Sequence, residues 1–503
     1  MSLPAWLEPL LDAARMRATD AWASGDRGVP SLQLMEQAGG ALAGLATELA
    51  PSGLIVVVAG KGNNGGDGLV AARQLREAGR QVTVLIAGDP AELSGDARAN
   101  LELLPGEAPR PLEVAIPPDA ALVVDALLGT GSTGAPNGAV ARSIDAIISS
   151  EVPVLAADVP SGVDASSGVV AAVAVTAHAT ATFHVAKPGL WIEPGRSHAG
   201  TVHVLDIGIP AGAPIEPDVG LISDELLDLL PRRGVHSTKF TSGPVLVAGG
   251  SPGLTGAPCL AALAAARAGA GYVTACVPRS LAPIFESRLL EVMTLALPDD
   301  GGAHTAAGVP LIVDAARHGG ALVLGPGLGR SAGVVDFVRT AMGALALPIV
   351  LDADGLNAYV EDLAALTSRT VATVLTPHEG ELARLLGISS AAVADERLRL
   401  ARDAARRSGA IIVLKGDDTL IAAPGGFVAV SPGATPALAT AGTGDVLAGV
   451  LGALLATGIE PFVAACAAVR LHALAGCRAA EWHGRDGVIA SDVIEQLSRV
   501  RSR

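Results

Sequence analysis

Aromatic side chains are scarce: Trp, Tyr and Phe together make up 2% of the 503 residues. The cores must therefore be built from Ala, Val and Leu. Charge is sparse too, at 17% against 50% apolar residues, which excludes a disordered chain. Positive charge is the scarcer sign. A net charge of −15 argues against non-specific nucleic-acid binding, which needs a basic face. It leaves anionic small molecules open, because local loops bind those. The few cysteines, Cys259, Cys276, Cys466 and Cys477, form no C-x-x-C pair. Neither a structural zinc nor a disulfide framework is indicated, and a reducing cytoplasm is the simplest setting. The start, "MSLPAWLEPLLDAARMRATD", lacks a basic segment followed by an uninterrupted apolar core, so no signal peptide is expected. Ala165–Ala186 carries no charge but is rich in Ala, Thr and Val and includes His178 and His184. Val446–Ile459 is too short to span a bilayer. Both are read as buried core, and no membrane partner is expected.

What is present is alternation. "LIVVVAG", "QVTVLIAG", "ALVVDALLG", "VPVLAADVP", "ATATFHVA" and "VHVLDIG" read as buried strands, with helical patterns such as "GGDGLVAARQLREAG" and "GAVARSIDAIISS" between them. Short apolar strands alternating with helices imply an α/β fold, a parallel sheet covered on both faces. The segment Ile207–Gly220 is rich in Pro and Gly and has no period, which marks it as a linker. The pattern then restarts with "GPVLVAGG", "YVTACVP", "ALVLGPG", "LPIVLDADG", "VATVLTPHEG" and "AIIVLKG", followed by a hairpin-like "DTLIAAPGGFVAVSP". A chain of this length is too long for one ordinary core. Two domains are expected, residues 1–215 and 216–503.

In the first half three polar loops follow predicted strands, where open α/β sheets bind ligands. "GKGNNGGDG" (Gly60–Gly68) has the form of a phosphate-cradling loop but carries an acid, Asp67. "VVDALLGTGSTGAPNG" places Asp125 at a strand end before a second glycine-rich loop, Gly129–Ala135. "AADVPSGVD" supplies Asp158, Ser161 and Asp164. Any one of these acids alone is better explained as a turn or helix cap. Three converging loops weaken that explanation, and two carboxylates facing one pocket suit proton transfer or a cation site. Asp67 itself is read as structural, an acid satisfying the first N–H groups of the helix it opens.

In the second half "ALATAGTGDVLAG" is the sharpest signal. Gly442, Gly444 and Asp445 open a long apolar helix whose free N–H groups can stabilise an anion developing in a phosphoryl transfer. Asp445 beside that anion hole can accept a proton from a hydroxyl. "VLKGDDT" brings the cation Lys415, and "TPHEGE" brings His378, Glu379 and Glu381, acids suited to ordering Mg²⁺ through water rather than in a direct cage. "LGPGLG" and "DADGLNA" add a glycine loop and Asp352, Asp354 and Asn357.

The joint set "GNNGGDG", "DALLGTG" and "DVPSGVD", with the upstream "RATD" and "LMEQAG", resembles the epimerase domain of NAD(P)H-hydrate repair enzymes over residues 10 to 210. The resemblance implies a Rossmann-like three-layer sandwich acting on hydrated NADH or NADPH, whose two epimers it interconverts. It implies dinucleotide contacts from Asn63, Asn64, Gly65, Gly66 and Asp67 and from Gly129, Thr130, Gly131, Ser132, Thr133, Gly134 and Ala135. Asn64, Asp125 and Ser161 match positions that hold a potassium ion. Asp158 matches a substrate-binding acid and is the candidate for proton transfer, with Asp125 as the other possibility.

Residues 220 to 500 resemble the dehydratase branch of the ribokinase-like fold, a second three-layer sandwich. The matching motifs are "SPGLTGAPCLAALAAARAGAGYV", "GPGLG", "LDADGLNA", "TPHEGELARLLG" and "ATAGTGDVLAG". By that match Gly256, Ala257, Gly327, His378 and Asp445 face the hydrated cofactor. Lys415, Gly416, Asp417, Asp418, Thr419 and Gly444 face an adenine nucleotide, ADP or ATP with Mg²⁺, leaving AMP or ADP. The family's usual His-Lys-Gly start is replaced here by "HSTKFTSG", so His236 and Lys239 receive no role.

Two other readings compete. A ribokinase-like kinase for a vitamin precursor or sugar, with an attached regulatory domain, would use the same anion hole and base. It would release a stable phosphate ester. The first fold also serves as a scaffold in RNA-associated proteins, which the intact Asn64, Asp125 and Asp158 and the acidic charge argue against. Helices rich in Ala and Leu leave room for dimers or larger assemblies, and a homo-oligomer is expected.

Overall fold

The computed structural model describes residues 3–112 and 115–501. Their contacts form two compact units, one running from Pro9 to Gly220 and the other from Leu221 onward with Pro4–Glu8 added.

The first unit is built on a 7-stranded sheet. Its spatial order is Arg110–Pro111, Val82–Ile86, Leu54–Ala59, Ala120–Ala126, Val154–Ala157, Ala179–Phe183 and Thr201–Leu205, with every pair parallel. Successive residues of Leu54–Ala59 face opposite sides, as a strand's period of two requires. Ile55, Val57 and Ala59 pack with Leu42, Ala46, Leu69 and Ala72 of the helices Ser31–Leu49 and Asn63–Glu77. Val56 and Val58 pack with Ile144 and Ile147 of the helix Gly138–Ser149 on the other side. This is the Rossmann-like three-layer sandwich. The strand order reverses between Leu54–Ala59 and Ala120–Ala126, the switch point at which such sheets bind ligands.

In the second unit the strands Met293–Leu297, Tyr272–Pro278, Pro244–Ala248, Ala321–Leu324, Ile349–Leu351, Thr373–Leu375 and Ile411–Leu414 form a parallel run. The sheet continues through the antiparallel pair Leu420–Ala422 and Val428–Val430. Backbone bonds then stitch the strand ends into one rim. Gly325 N–H donates to Ala248 at 3.1 Å, Asp352 N–H to Leu324 at 3.0 Å and Lys415 N–H to Pro377 at 2.9 Å.

The segment read as a linker ends in a strand, Val219–Ile222, that joins this sheet beside Leu7–Leu10. Neither strand, nor Met293–Leu297, was expected from the sequence. The helix Pro461–His483 is long and apolar enough to cross a membrane, but most of its apolar window is buried within the protein. Val446–Leu455 is likewise core of the helix Thr443–Ala456.

Candidate active sites

In the first unit the strands Leu54–Ala59, Ala120–Ala126 and Val154–Ala157 all end at one cavity of about 780 Å³. Asn63, Asn64, Asp67, Gly129, Thr130, Gly131, Ser132 and Asp158 line it. Gly65 and Gly66 are not in the lining: they sit in the first turn of their helix, where a side chain at Gly65 would lie 2.0 Å from the Gly60 carbonyl. Close backbone approach, not ligand contact, explains that glycine. Thr133, Gly134 and Ala135 lie further along an exposed loop, outside the lining.

Asp125 and Asp158, equivalent in the sequence, differ here. Asp125 is fully buried beneath the cavity floor. Its carboxylate accepts bonds from Ser161 Oγ at 2.7 Å, Ser161 N–H at 2.8 Å and Leu127 N–H at 3.2 Å. Burial pushes its pKa up to about 6, against the pull of the Ser161 bonds. Asp158 reaches the cavity from a left-handed backbone, φ 66°, a conformation rare outside glycine. Its Oδ2 accepts from Thr130 N–H at 3.1 Å and its Oδ1 from Lys187 Nζ at 2.5 Å. Burial, the largest single influence, would raise the Asp158 carboxyl, but the Lys187 ammonium and the Thr130 bonds together hold it below its ordinary value.

Lys187 is 1% exposed and also donates to Thr182 Oγ1 and the Phe183 carbonyl, each at 2.9 Å. Sequence reading missed it. It lies in "HVAKPGLW", outside every motif, and its partner is 29 positions away. The cap reading of Asp67 is also corrected. The helix is capped at Gly62 without a side-chain bond, and Asp67 lies too far along the first turns to reach the leading N–H groups. Its carboxyl lines the cavity instead.

In the second unit the site forms where Asp352, Thr376, Lys415 and the start of the helix Thr443–Ala456 meet. Lys415 Nζ lies 3.1 Å from Asp352 and 3.7 Å from Glu381. Burial would lower its pKa, but Asp352 and Glu381 reverse that and raise it. Gly444 is so close that an added Cβ would sit 3.5 Å from Lys415 Nζ. The helix is capped by Gly442 at φ 90° with no side-chain bond, which leaves its leading N–H groups for a ligand. Burial, and next the charge of Asp352, push the Asp445 carboxyl to about 7, opposed by Lys415.

Other expected contacts have mixed placements. Gly256 and Ala257 open a helix beside Gly327, whose φ of 63° and nearness to the Leu254 carbonyl require glycine. His378 caps the helix Glu379–Leu386: its Nδ1 accepts from Gly380 N–H at 3.0 Å, while Glu381 bonds back to the His378 N–H. Gly416 and Thr419 close a turn on each other. Asp417 is exposed, whereas Asp418 is 1% exposed and held by Arg397, which also pairs with Glu379. Arg397 was missed because "ERLRLARDAARR" lies outside every motif and its partners Asp418 and Glu379 are 21 and 18 positions away. Among the described residues no three His, Cys, Asp or Glu side chains converge as a metal cage. His236 and Lys239 lie in an exposed stretch before the strand Pro244–Ala248.

A Rossmann-like sheet followed by a second α/β sheet, each with a buried acid at its strand ends, defines a two-site α/β enzyme. The comparisons make this specific. Residues 245–499 match the family model of NAD(P)H-hydrate dehydratase, and residues 31–189 match that of the YjeF-related protein N-terminus. The bifunctional NAD(P)H-hydrate repair enzyme Nnr of Moorella thermoacetica is 40% identical over 98% of this chain and 96% of its own. Its namesake from Salinibacter ruber is 39% identical over the same shares. A ribokinase-like superfamily protein from Enterococcus faecalis shares the second fold, with TM-score 0.50, 23% identity and coverage of 57% of this chain and 96% of that one. The chain belongs to the bifunctional NAD(P)H-hydrate repair enzymes, with an epimerase domain followed by a dehydratase domain.

Proposed function

We propose that residues 1–215 interconvert the R and S forms of hydrated NADH or NADPH, and that residues 216–503 return the S form to NAD(P)H at the expense of ADP or ATP. The supporting observation is that each unit carries its own acid beside a lysine at its site: Asp158, just past the strand Val154–Ala157, pairs with Lys187, and the half-buried Asp445, in the first turn of the helix Thr443–Ala456, lies beside Lys415. Two separate settings suit two separate proton transfers. The four unpaired cysteines suit a cytoplasmic location.

In the epimerase site Asn64, Asp125 and Ser161 would hold potassium. The residues fit: Asn64 Oδ1 is buried without a partner among the described residues, while its amide N–H donates to the Leu128 carbonyl at 2.9 Å. An orphaned carbonyl, a carboxylate and a hydroxyl form an all-oxygen donor set for a hard cation. Bound there, the ion offsets the negative charge of a site that must accept an anionic dinucleotide. Asp158 stays ionised against Lys187 and serves as the proton acceptor while the configuration at the hydrated ring carbon is exchanged.

In the dehydratase site hydroxide is a poor leaving group. Asp445 accepts the proton of the ring hydroxyl as that oxygen attacks the terminal phosphoryl of the nucleotide. Lys415 and the N–H groups behind Gly442 stabilise the developing charge. The ring nitrogen then expels phosphate, and loss of the neighbouring proton restores the dihydronicotinamide. Among the described residues no three His, Cys, Asp or Glu side chains form a cage for magnesium, so the ion would arrive with the nucleotide phosphates.

The assignment is tested by separating the activities. Asp445→Asn should abolish dehydration and leave epimerisation intact, and Asp158→Ala should slow epimerisation by about 10²-fold or more while dehydrating the S epimer normally. Chiral chromatography reads the first activity and near-ultraviolet absorbance the second. Loss of both activities in either variant, with the fold retained, would contradict two independent sites.

A further inference from the structure

The epimerase cavity holds a second buried acid besides Asp158. Asp67 lines it at 9% exposure, and its carboxyl has no hydrogen bond or ion pair among the described residues. The other titratable groups around the cavity are Asp20 from the helix Ala13–Gly25, Asp158, Lys187, Arg17, Lys61 and Asp96. Lys187 has committed its ammonium to Asp158, Thr182 and Phe183, so it has no N–H left for a ligand. Lys61 pairs with Glu92. Asp20 is exposed.

Resting on the epimerase reading, we propose that Asp67 is the proton donor of that reaction and Asp158 its proton acceptor. The two carboxyls share a cavity but not an environment. Asp158 has the only buried cation among these groups, together with an N–H bond from Thr130. Asp67 has neither. Burial, and next the charges of Asp158 and Asp20, hold its carboxyl well above the ordinary range, with only a smaller opposing pull from Lys187. Two acids driven apart by their surroundings take opposite roles at one pH.

The step balances. Asp67 passes its proton to the ring hydroxyl. The carbon–oxygen bond breaks with its electron pair leaving on water, and the ring nitrogen's lone pair forms a carbon–nitrogen double bond. Water re-adds to the opposite face as Asp158 takes its proton, and the double-bond pair returns to nitrogen. Nothing is oxidised or reduced, and the proton on Asp158 returns to Asp67 through solvent.

The test uses the full chain, the single R epimer and no nucleotide, with epimer interconversion followed by chiral chromatography between about pH 6 and pH 9. Wild type should lose activity at alkaline pH as Asp67 ionises. Asp67→Asn should lose about 10²-fold or more in kcat with KM changed less than about threefold, and its profile should lack the alkaline limb. Asp67→Glu, which keeps the titrating group, should recover part of kcat and the limb. A thermal melt of each variant separates misfolding from lost chemistry. An Asp67→Asn variant with kcat near wild type, or with the alkaline limb intact, would overturn the donor assignment while leaving the epimerase reading in place. A wild-type chain that does not interconvert the epimers at all would overturn both.

Discussion

Asp158 and Asp445 start as the same residue type and reach opposite electrostatic settings. Asp158 is held ionised by an ammonium 2.5 Å away. Asp445 shares its nearest cation, Lys415, with Asp352 and Glu381, so burial and like charge dominate and lift it to about 7. The sign of its pH dependence follows. Below pH 7 the carboxyl is largely protonated and cannot accept the hydroxyl proton; above it the carboxylate forms. The kcat/KM of dehydration should rise about tenfold per pH unit below pH 7 and level off above it. A profile flat from pH 6 to 8 would exclude Asp445, so placed, as the base. His472, on the helix Pro461–His483, is pushed down to about 4 by burial, so it stays neutral through that window and does not produce the limb. The residue scale was also the least legible in the sequence. Asp125, Asp158 and Asp445 were visible because each ends a strand or opens a helix inside a short polar motif. Lys187 and Arg397 were not, because their meaning lies in partners 29 and 21 positions away. A one-dimensional pattern carries no sign of such a pairing.

At the scale of elements, strands and helices were read from period and punctuation, and the motif loops fell at strand ends as expected. Among the strands that were missed, Leu7–Leu10, Arg110–Pro111, Val219–Ile222 and Met293–Leu297 are short and lie at or near the sheet margins, and Leu7–Leu10 and Val219–Ile222 pair with each other from far apart in the sequence. For that pair long-range pairing, not local propensity, makes the strands. Helix packing sets the anion hole. Gly449 of the helix Thr443–Ala456 lies against the helix Gly256–Arg267, where a Cβ would come within 2.1 Å of the Ala261 carbonyl. Alanine gains about 1 kcal/mol of helix propensity over glycine. Here a backbone clash opposes it, and overpacking of this kind costs about 1–3 kcal/mol. The clash should win. Gly449→Ala is expected to lower the melting temperature and to reduce dehydration by displacing the N–H groups ahead of Asp445. A higher melting temperature would show that the two helices can separate freely.

At the scale of the whole molecule, the two folds were legible because each has its own run of strand-and-helix alternation with a Pro- and Gly-rich break between them. Placing both chemistries on one chain has a kinetic consequence. Hydration of the ring produces two epimers, and a dehydratase specific for one would strand the other. An epimerase on the same chain feeds the stranded form back. The direct measurement supplies the purified full chain with an equal mixture of both epimers of hydrated NADH, Mg²⁺ and ADP, then ATP in its place, and follows the near-ultraviolet absorbance of the dihydronicotinamide. The account predicts complete recovery of NADH with at least one of the nucleotides, faster than spontaneous epimerisation allows. Recovery that stalls at about half of the input, or none with either nucleotide, would contradict it.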